Sequence, residues 1–231
     1  MKNYLLQFVI LLFLLMSPNI IFGQITIDIK ATYNGKSIAK NSWYNTTHKD
    51  SIQFKKIQFY LTDFKIRTVE NNIISIDDSH FLIDIFKAQT LKQTLKQAGI
   101  KNIKEISFNI GVKDSLNMVG ALAGDLDPSK GMYWSWQSGY INFKIEGNSP
   151  SCKTRKSKFQ FHIGGYKNPY KTTKRVYFKI KNTASKAISI HLNIANFFDQ
   201  IDLKNENQIM IPGKKAKTIA ETLSKLFSID A

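Results

Sequence analysis

KFQFHIGGY, residues 158–166, and AISIHLNIA, residues 187–195, decide the fold. In the first, Phe159, Phe161 and Ile163 share one parity. In the second, Ile188, Ile190, Leu192 and Ile194 do the same. Alternation with a period of two is the mark of a strand with one buried face. The pattern recurs outward along the chain. ITIDIKATYNG (25–35) alternates and closes on the turn dipeptide Asn34-Gly35. SIQFKKIQFYLTDFKIRT (51–68) alternates with a parity slip between Phe54 and Ile57, which predicts a bulge or two joined strands. Asn71-Asn72 reads as a hairpin turn before IISID, and KNSWYNTTHKD (40–50) as a loop. HFLIDIFK, KEISFNIGV, GYINFKIEG, KRVYFKIK and NQIMI complete the series.

Two segments have a helical period. LKQTLKQAG (91–99) spaces Leu91 and Leu95 at i, i+4 and stops at Gly99, predicting a short crossover helix. KTIAETLSKLFS (217–228) reads as a C-terminal helix with Ile219, Leu223 and Leu226 on one face. Strands dominate, so the fold class is all-β: a single β-sandwich domain, with a closed barrel as the runner-up. No Pro/Gly/Ser linker or internal repeat divides the chain.

The N-terminus, MKNYLLQFVILLFLLMSPNIIFGQ, has a positive start, an apolar run of about 13 residues and a polar end at a small residue. Residues 1–23 therefore read as a signal peptide cleaved after Gly23. The run is shorter than the roughly 18–20 residues a spanning helix needs, so no membrane span is expected after cleavage. The domain is then 24–231, and its location periplasmic or secreted. Cys152 is the single cysteine, so no internal disulfide forms; its basic loop, SPSCKTRKSK, suggests an exposed bystander. The formal net charge is +16, with lysines spread along the whole chain. No nucleic-acid module or basic–aromatic face accompanies them, so a nucleic-acid partner is not expected. A basic surface drawn to anionic envelopes is.

Enzymatic motifs are missing: there is no G-x-S-x-G, P-loop, H-E-x-x-H or paired-cysteine motif. The chain is not expected to be an enzyme, and Asp63, Asp77, Asp78 and Asp84 read as solvated carboxylates. His162 and His191 both point away from the apolar faces of their strands. They are either exposed on unrelated strands or converge on one metal ion. Gly164-Gly165 beside His162 permits close backbone approach. Trp134 and Trp136 face one side of a strand or turn, as core filling or as a shield for a soft metal. Asp114, Asn117, Asp125 and Asp127 lie on a Gly-bearing loop. They read as turn formers or as oxygen ligands for calcium, without EF-hand spacing.

NIGVKDSLN (109–117), GDLDPSKGMYWSWQSGYINFKIEG (124–147) and KFQFHIGGY together resemble the MbnP-like copper-binding domain family, which includes MbnP, MopE and CorA proteins. The resemblance covers most of the chain from Gln24 through His162. It implies an exported β-sandwich that binds copper for metal acquisition or handling. It also implies a tryptophan oxidised to kynurenine, which joins two histidines as a ligand. The oxidation is the work of a di-haem peroxidase of the MbnH/MauG type. A TonB-dependent transporter is a further expected partner. Carried over, Trp134 or Trp136 is the modification candidate and His162 the best histidine. One departure stands out: MopE-like sites place a histidine two residues after the modified tryptophan. Here Trp136 follows Trp134 at that spacing, and Ser138 follows Trp136. Two other readings remain open, an envelope interaction module and an extracellular carbohydrate-binding module.

Overall fold

The computed structural model describes residues 22–98, 100–135 and 137–230, the side chains of Phe22, Gly23 and Ala98 excepted. The signal-peptide reading thus falls almost wholly outside the described residues. So do Trp136 and Gly99.

Two sheets face each other. The smaller holds β1 (Phe22–Tyr33), β2 (Lys36–Ser37), β7 (Lys92–Ala98), β13 (Ala187–Asn193) and β15 (Phe227–Asp230). β13 lies parallel to β1, with Ile27 opposite Ile188 and Ile29 opposite Ile190. The larger sheet runs in the order β12 (Lys174–Lys179), β8 (Ile103–Ile110), β4 (Ser51–Thr68), β10 (Gly139–Asn148), β11 (Lys158–Gly164), β14 (Gln208–Ile209). The short strands β3 (Trp43–Asn45), β5 (Ile73–Ser75) and β6 (His80–Asp84) pair with β4, and β9 (Tyr133–Ser135) pairs with β10.

Alternation explains the inner faces. Ile25, Ile27, Ile29, Ile188, Ile190 and Leu192 from one sheet meet Phe54, Phe59, Ile106, Phe143, Phe159 and Phe161 from the other, all buried. Phe227 of β15 bridges the layers, 5.5 Å from the ring of Phe59 and 6.4 Å from that of Phe143. Each such side chain contributes roughly 1.5–3 kcal/mol on burial. The sheets therefore form a sandwich rather than a closed barrel.

The parity slip in β4 is a bulge. Glu146 stands opposite Lys56 while the next residue, Gly147, stands opposite Phe54, leaving Lys55 unpaired. That extra residue lets Phe54 and Ile57 both face inward, each fully buried. A second slip, at Asn142 of β10, pairs Ile141 with Gly164 and Phe143 with Ile163. It turns Ile141 to the outer side.

Several expectations change. Residues 91–99 form no crossover helix: β7 pairs antiparallel with β1, Leu95 opposite Ile25. A spacing of four fits a helical turn, but it is also a multiple of two. Edge pairing along seven residues settles the ambiguity in favour of strand. The C-terminal helix exists as α3 (Lys214–Ser224), but it ends before Phe227, which joins a strand. Two short helices, α1 (Asp114–Val119) and α2 (Ala195–Phe198), arise where none was read. The expected loop at 40–50 contains β3. Cys152 is 3% exposed and belongs to the main hydrophobic cluster, not the surface.

Candidate functional site

The larger sheet has an outer face, and the segment 112–135 covers part of it. Leu126 and Met132 from this segment pack on Tyr60, Leu82, Tyr140 and Ile141, with Leu116, Leu122 and Trp134 against them. Buried hydrogen bonds fix the cover. Asn117, 2% exposed, accepts from the Tyr140 N–H at 2.9 Å and donates to the Val112 carbonyl at 3.1 Å. The Tyr140 hydroxyl accepts from the Leu122 N–H and lies 2.8 Å from the Leu126 carbonyl. The Tyr60 hydroxyl donates to the Asp125 carbonyl at 3.0 Å. Burial, then the neighbouring Tyr140 and Asp125, pushes the Tyr60 phenol well above its ordinary value.

Beside this cover lies a row of buried polar residues. Asp84 of β6 stands opposite Gln58 of β4, Gln58 opposite Lys144 of β10, and Lys144 opposite His162 of β11. Each is under 9% exposed. Gln58 donates to Asp84 at 3.0 Å, and Lys144 donates to the Gly131 carbonyl, tying the cover to the sheet. Burial, opposed by Glu146 and aided by Lys56, draws the Lys144 ammonium below its usual value.

His162 Nε2 lies 2.7 Å from Glu146 Oε1. The His162 hydrogen bond, against the penalty of burial, holds the Glu146 carboxyl below its ordinary value, and Lys56, 4.0 Å away, adds to this. An ionised carboxylate only accepts, so Nε2 carries the proton in this contact. Gly164 follows two residues after His162 on the same outer face. A Cβ there would lie 2.8 Å from Trp134 Cζ3 and 2.6 Å from the Tyr140 carbonyl oxygen. The indole of Trp134 therefore lies directly on the glycine. The F-H-I-G-G and Y-W-S elements meet through this contact, and Trp134 is half-buried there.

The remaining candidates lie elsewhere. His191 is on the outer face of the smaller sheet, its Nε2 2.9 Å from Asp230 Oδ2. It does not converge with His162. Both side chains avoid the inner faces of a two-layer sandwich, so they point in opposite directions. The four calcium candidates also disperse. Asp114 pairs with Lys171, Asn117 serves the Tyr140 turn, and Asp125 accepts from the Leu82 N–H and pairs with Lys130. Asp127 caps Ser129, whose backbone N–H lowers the Asp127 pKa. Most of their oxygens serve as turn caps and ion-pair partners, Asp114 Oδ1 being buried without a partner, and among the described residues they are not gathered as a metal site. Among the described residues no three His, Cys, Asp or Glu gather as a metal site would require. Asp63 and Asp84 are not solvated either: Asp63 pairs with Arg175, and Asp84 is 8% exposed.

The donor set on this outer face is thus one imidazole and one carboxylate. That set fits a first-row transition ion in chemistry and is short in number. Glu146 and Lys144 were missed in the sequence. The signal was present: in GYINFKIEG they share the polar parity, on a strand consecutive with the one that carries His162.

These features define an all-β sandwich carrying a half-buried indole and a histidine–carboxylate pair on the covered outer face of its larger sheet. Residues 22–211 match the MbnP family, and the chain belongs to that family. Among solved structures it is similar to MbnP from Methylosinus trichosporium, with a TM-score of 0.63 at 12% identity, over 90% of this chain and 98% of that one. At that identity the likeness speaks for the fold. No curated protein matches the chain in sequence. No helix among the described residues is long and apolar enough to cross a membrane.

Proposed function

We propose that this chain is an exported copper-binding protein that carries the metal for acquisition or handling and catalyses no reaction of its own. One observation carries the reading: in a member of the MbnP family, Trp134 lies on Gly164, on the same outer face as His162 with its carboxylate partner Glu146. Copper is the cargo. Imidazole suits it in either oxidation state. A carboxylate on the far ring nitrogen orients a ligating histidine and raises its basicity. The half-buried indole excludes water and is the side chain open to oxidation to kynurenine by a di-haem peroxidase partner. Trp136 is the alternative target of that oxidation. A TonB-dependent transporter would carry the metal across an outer membrane.

The test is metal analysis and copper titration of the protein lacking residues 1–23, beside His162→Ala and His191→Ala. Copper binding is expected in the wild type and in His191→Ala, and loss of it in His162→Ala. Equal binding by His162→Ala refutes the site. A mass change on the peptide holding Trp134 and Trp136, after co-production with the haem partner, reports the oxidation.

A docking module is the second reading. Met118 and Val119 of α1 are 71% and 69% exposed. Ile211, 74% exposed, adjoins Pro212, which packs at Gly165. Failure to retain copper in both redox states would favour this role.

A further inference from the structure

We propose that a groove on the outer face of the larger sheet, clear of the 112–135 cover, binds an acidic saccharide: a chain of pyranose rings bearing carboxylates. The proposal stands apart from the copper reading. The groove crosses β12, β8, β4 and β5 and holds about 380 Å³, within the roughly 300–1,000 Å³ of small-ligand sites. Strand pairing sets its floor. Tyr177 of β12 stands opposite Ser107 of β8, and Ser107 opposite Lys65 of β4. Arg175 stands opposite Asn109, one outward position along. Ser107 and Asn109 are buried, while two large side chains at the walls lie open: Tyr177 is 63% and Ile73 59% exposed.

A bulge shapes the floor. β4 carries one extra residue between Thr62, opposite Asn109, and Lys65, opposite Ser107. Asp63, with a φ of +54°, lies in it, and its carboxylate meets Arg175 Nη1 at 2.5 Å. Arg175 Nη2 donates to the Ser107 hydroxyl at 2.8 Å. Arg175 is therefore spent inside the protein, as is Arg67, 3.6 Å from Glu105. These two pairs cancel in charge. Four groups are left over for a ligand: the Lys65 ammonium and the Asn109 amide N–H, both without a partner among the described residues, the Ser107 hydroxyl proton, and the Tyr177 ring. They match one chemistry. The C–H face of a pyranose ring lies on the negative face of an aromatic ring. Its hydroxyl oxygens accept from amide and hydroxyl donors. A carboxylate on the sugar pairs with the ammonium of Lys65, and the net charge of +16 draws an acidic polymer in from a distance.

The experiment is native affinity electrophoresis and calorimetric titration with polygalacturonate. Poly-L-glutamate is the control for charge without a sugar ring, and dextran the control for a ring without charge. The wild type is compared with Tyr177→Ala, Tyr177→Phe and Lys65→Gln, and circular dichroism confirms that each is folded. Polygalacturonate is expected to bind about tenfold more tightly than poly-L-glutamate at the same ionic strength, and dextran more weakly than polygalacturonate. Tyr177→Ala is expected to lose that advantage, and Tyr177→Phe to keep it. Lys65→Gln is expected to weaken binding a few-fold and to lessen its dependence on salt. Equal binding of the two acidic polymers overturns the proposal, since the surface is then merely basic. Wild-type binding by Tyr177→Ala overturns it as well, and so does dextran binding as tightly as polygalacturonate.

Discussion

Gly164→Ala is the sharpest probe of how the site is built. Its backbone is not in a left-handed conformation, so the substitution reports packing and not torsional strain. The added carbon would lie 2.6 Å from the Tyr140 carbonyl oxygen, 2.8 Å from Trp134 Cζ3 and 3.2 Å from Ile141 Cα. Two of these neighbours are backbone atoms of β10, held by pairing to β9 and β11. Moving the indole relieves only the Trp134 contact, so the β10–β11 backbone must also shift to clear the Tyr140 carbonyl. Overpacking of this kind costs about 1–3 kcal/mol. Loss of glycine freedom in the unfolded chain offsets about 0.4–1 kcal/mol of that. With the tightest contact on backbone the upper end of the overpacking range applies, so the net destabilisation is about 2–2.6 kcal/mol, a fall in Tm of roughly 4–10 °C for a domain of this size. Thermal unfolding followed by circular dichroism reads it. Copper titration should show a weaker site as well, because Trp134 is displaced from the strand that bears His162. Gly35→Ala is the control: its added carbon meets nothing within 4 Å, so it carries only the cost of its positive φ. If Gly164→Ala melts within about 1 °C of the wild type and binds copper equally, the packing of Trp134 on Gly164 is wrong.

Three further outcomes follow from the same geometry. Asn117→Ala should cost about 1–3 kcal/mol in urea unfolding, since it strands the buried Tyr140 N–H, while the Val112 carbonyl keeps the Thr173 hydroxyl as a donor; a cost below about 0.5 kcal/mol would contradict its role as the anchor of the cover. Cys152 should resist thiol reagents at pH 8 in the folded protein and react on denaturation, because burial, with Asp50, pushes its thiol up to about 11; rapid labelling of the native chain would count against this. Glu146 has its folded pKa lowered, so its stabilisation is present above the unfolded value of roughly 4.3–4.5 and is lost as pH falls through the folded value. The stability gap between wild type and Glu146→Gln should accordingly be open near pH 6 and close in acid, and a gap that widens in acid would reverse the sign.

The inner faces of the sandwich were legible because alternation is a local property. Phe159, Phe161 and Ile163 announce their burial without any knowledge of the partner strand. The bulge at Lys55 was legible for the same reason: two apolar parities in one strand need an extra residue between them. β7 was not, since Leu91 and Leu95 satisfy both periods and the pairing with β1 is a tertiary fact. The site divides along the same line. That His162 and His191 avoid the core could be read from parity, but not that they belong to different sheets and so face apart. The Asp and Asn residues of the 112–135 segment looked like ligands because turn caps and oxygen ligands draw on the same residue types. Cys152 misled by its basic neighbours: its sequence surroundings are polar, while its side chain turns into the main core.

The most direct test of the copper site is anomalous diffraction at the copper edge from crystals of the copper-loaded protein. The account predicts a single strong peak on the outer face of the larger sheet, within bonding distance of His162 and beside Trp134. A peak at His191 and Asp230 on the opposite face, with none at His162, would contradict it.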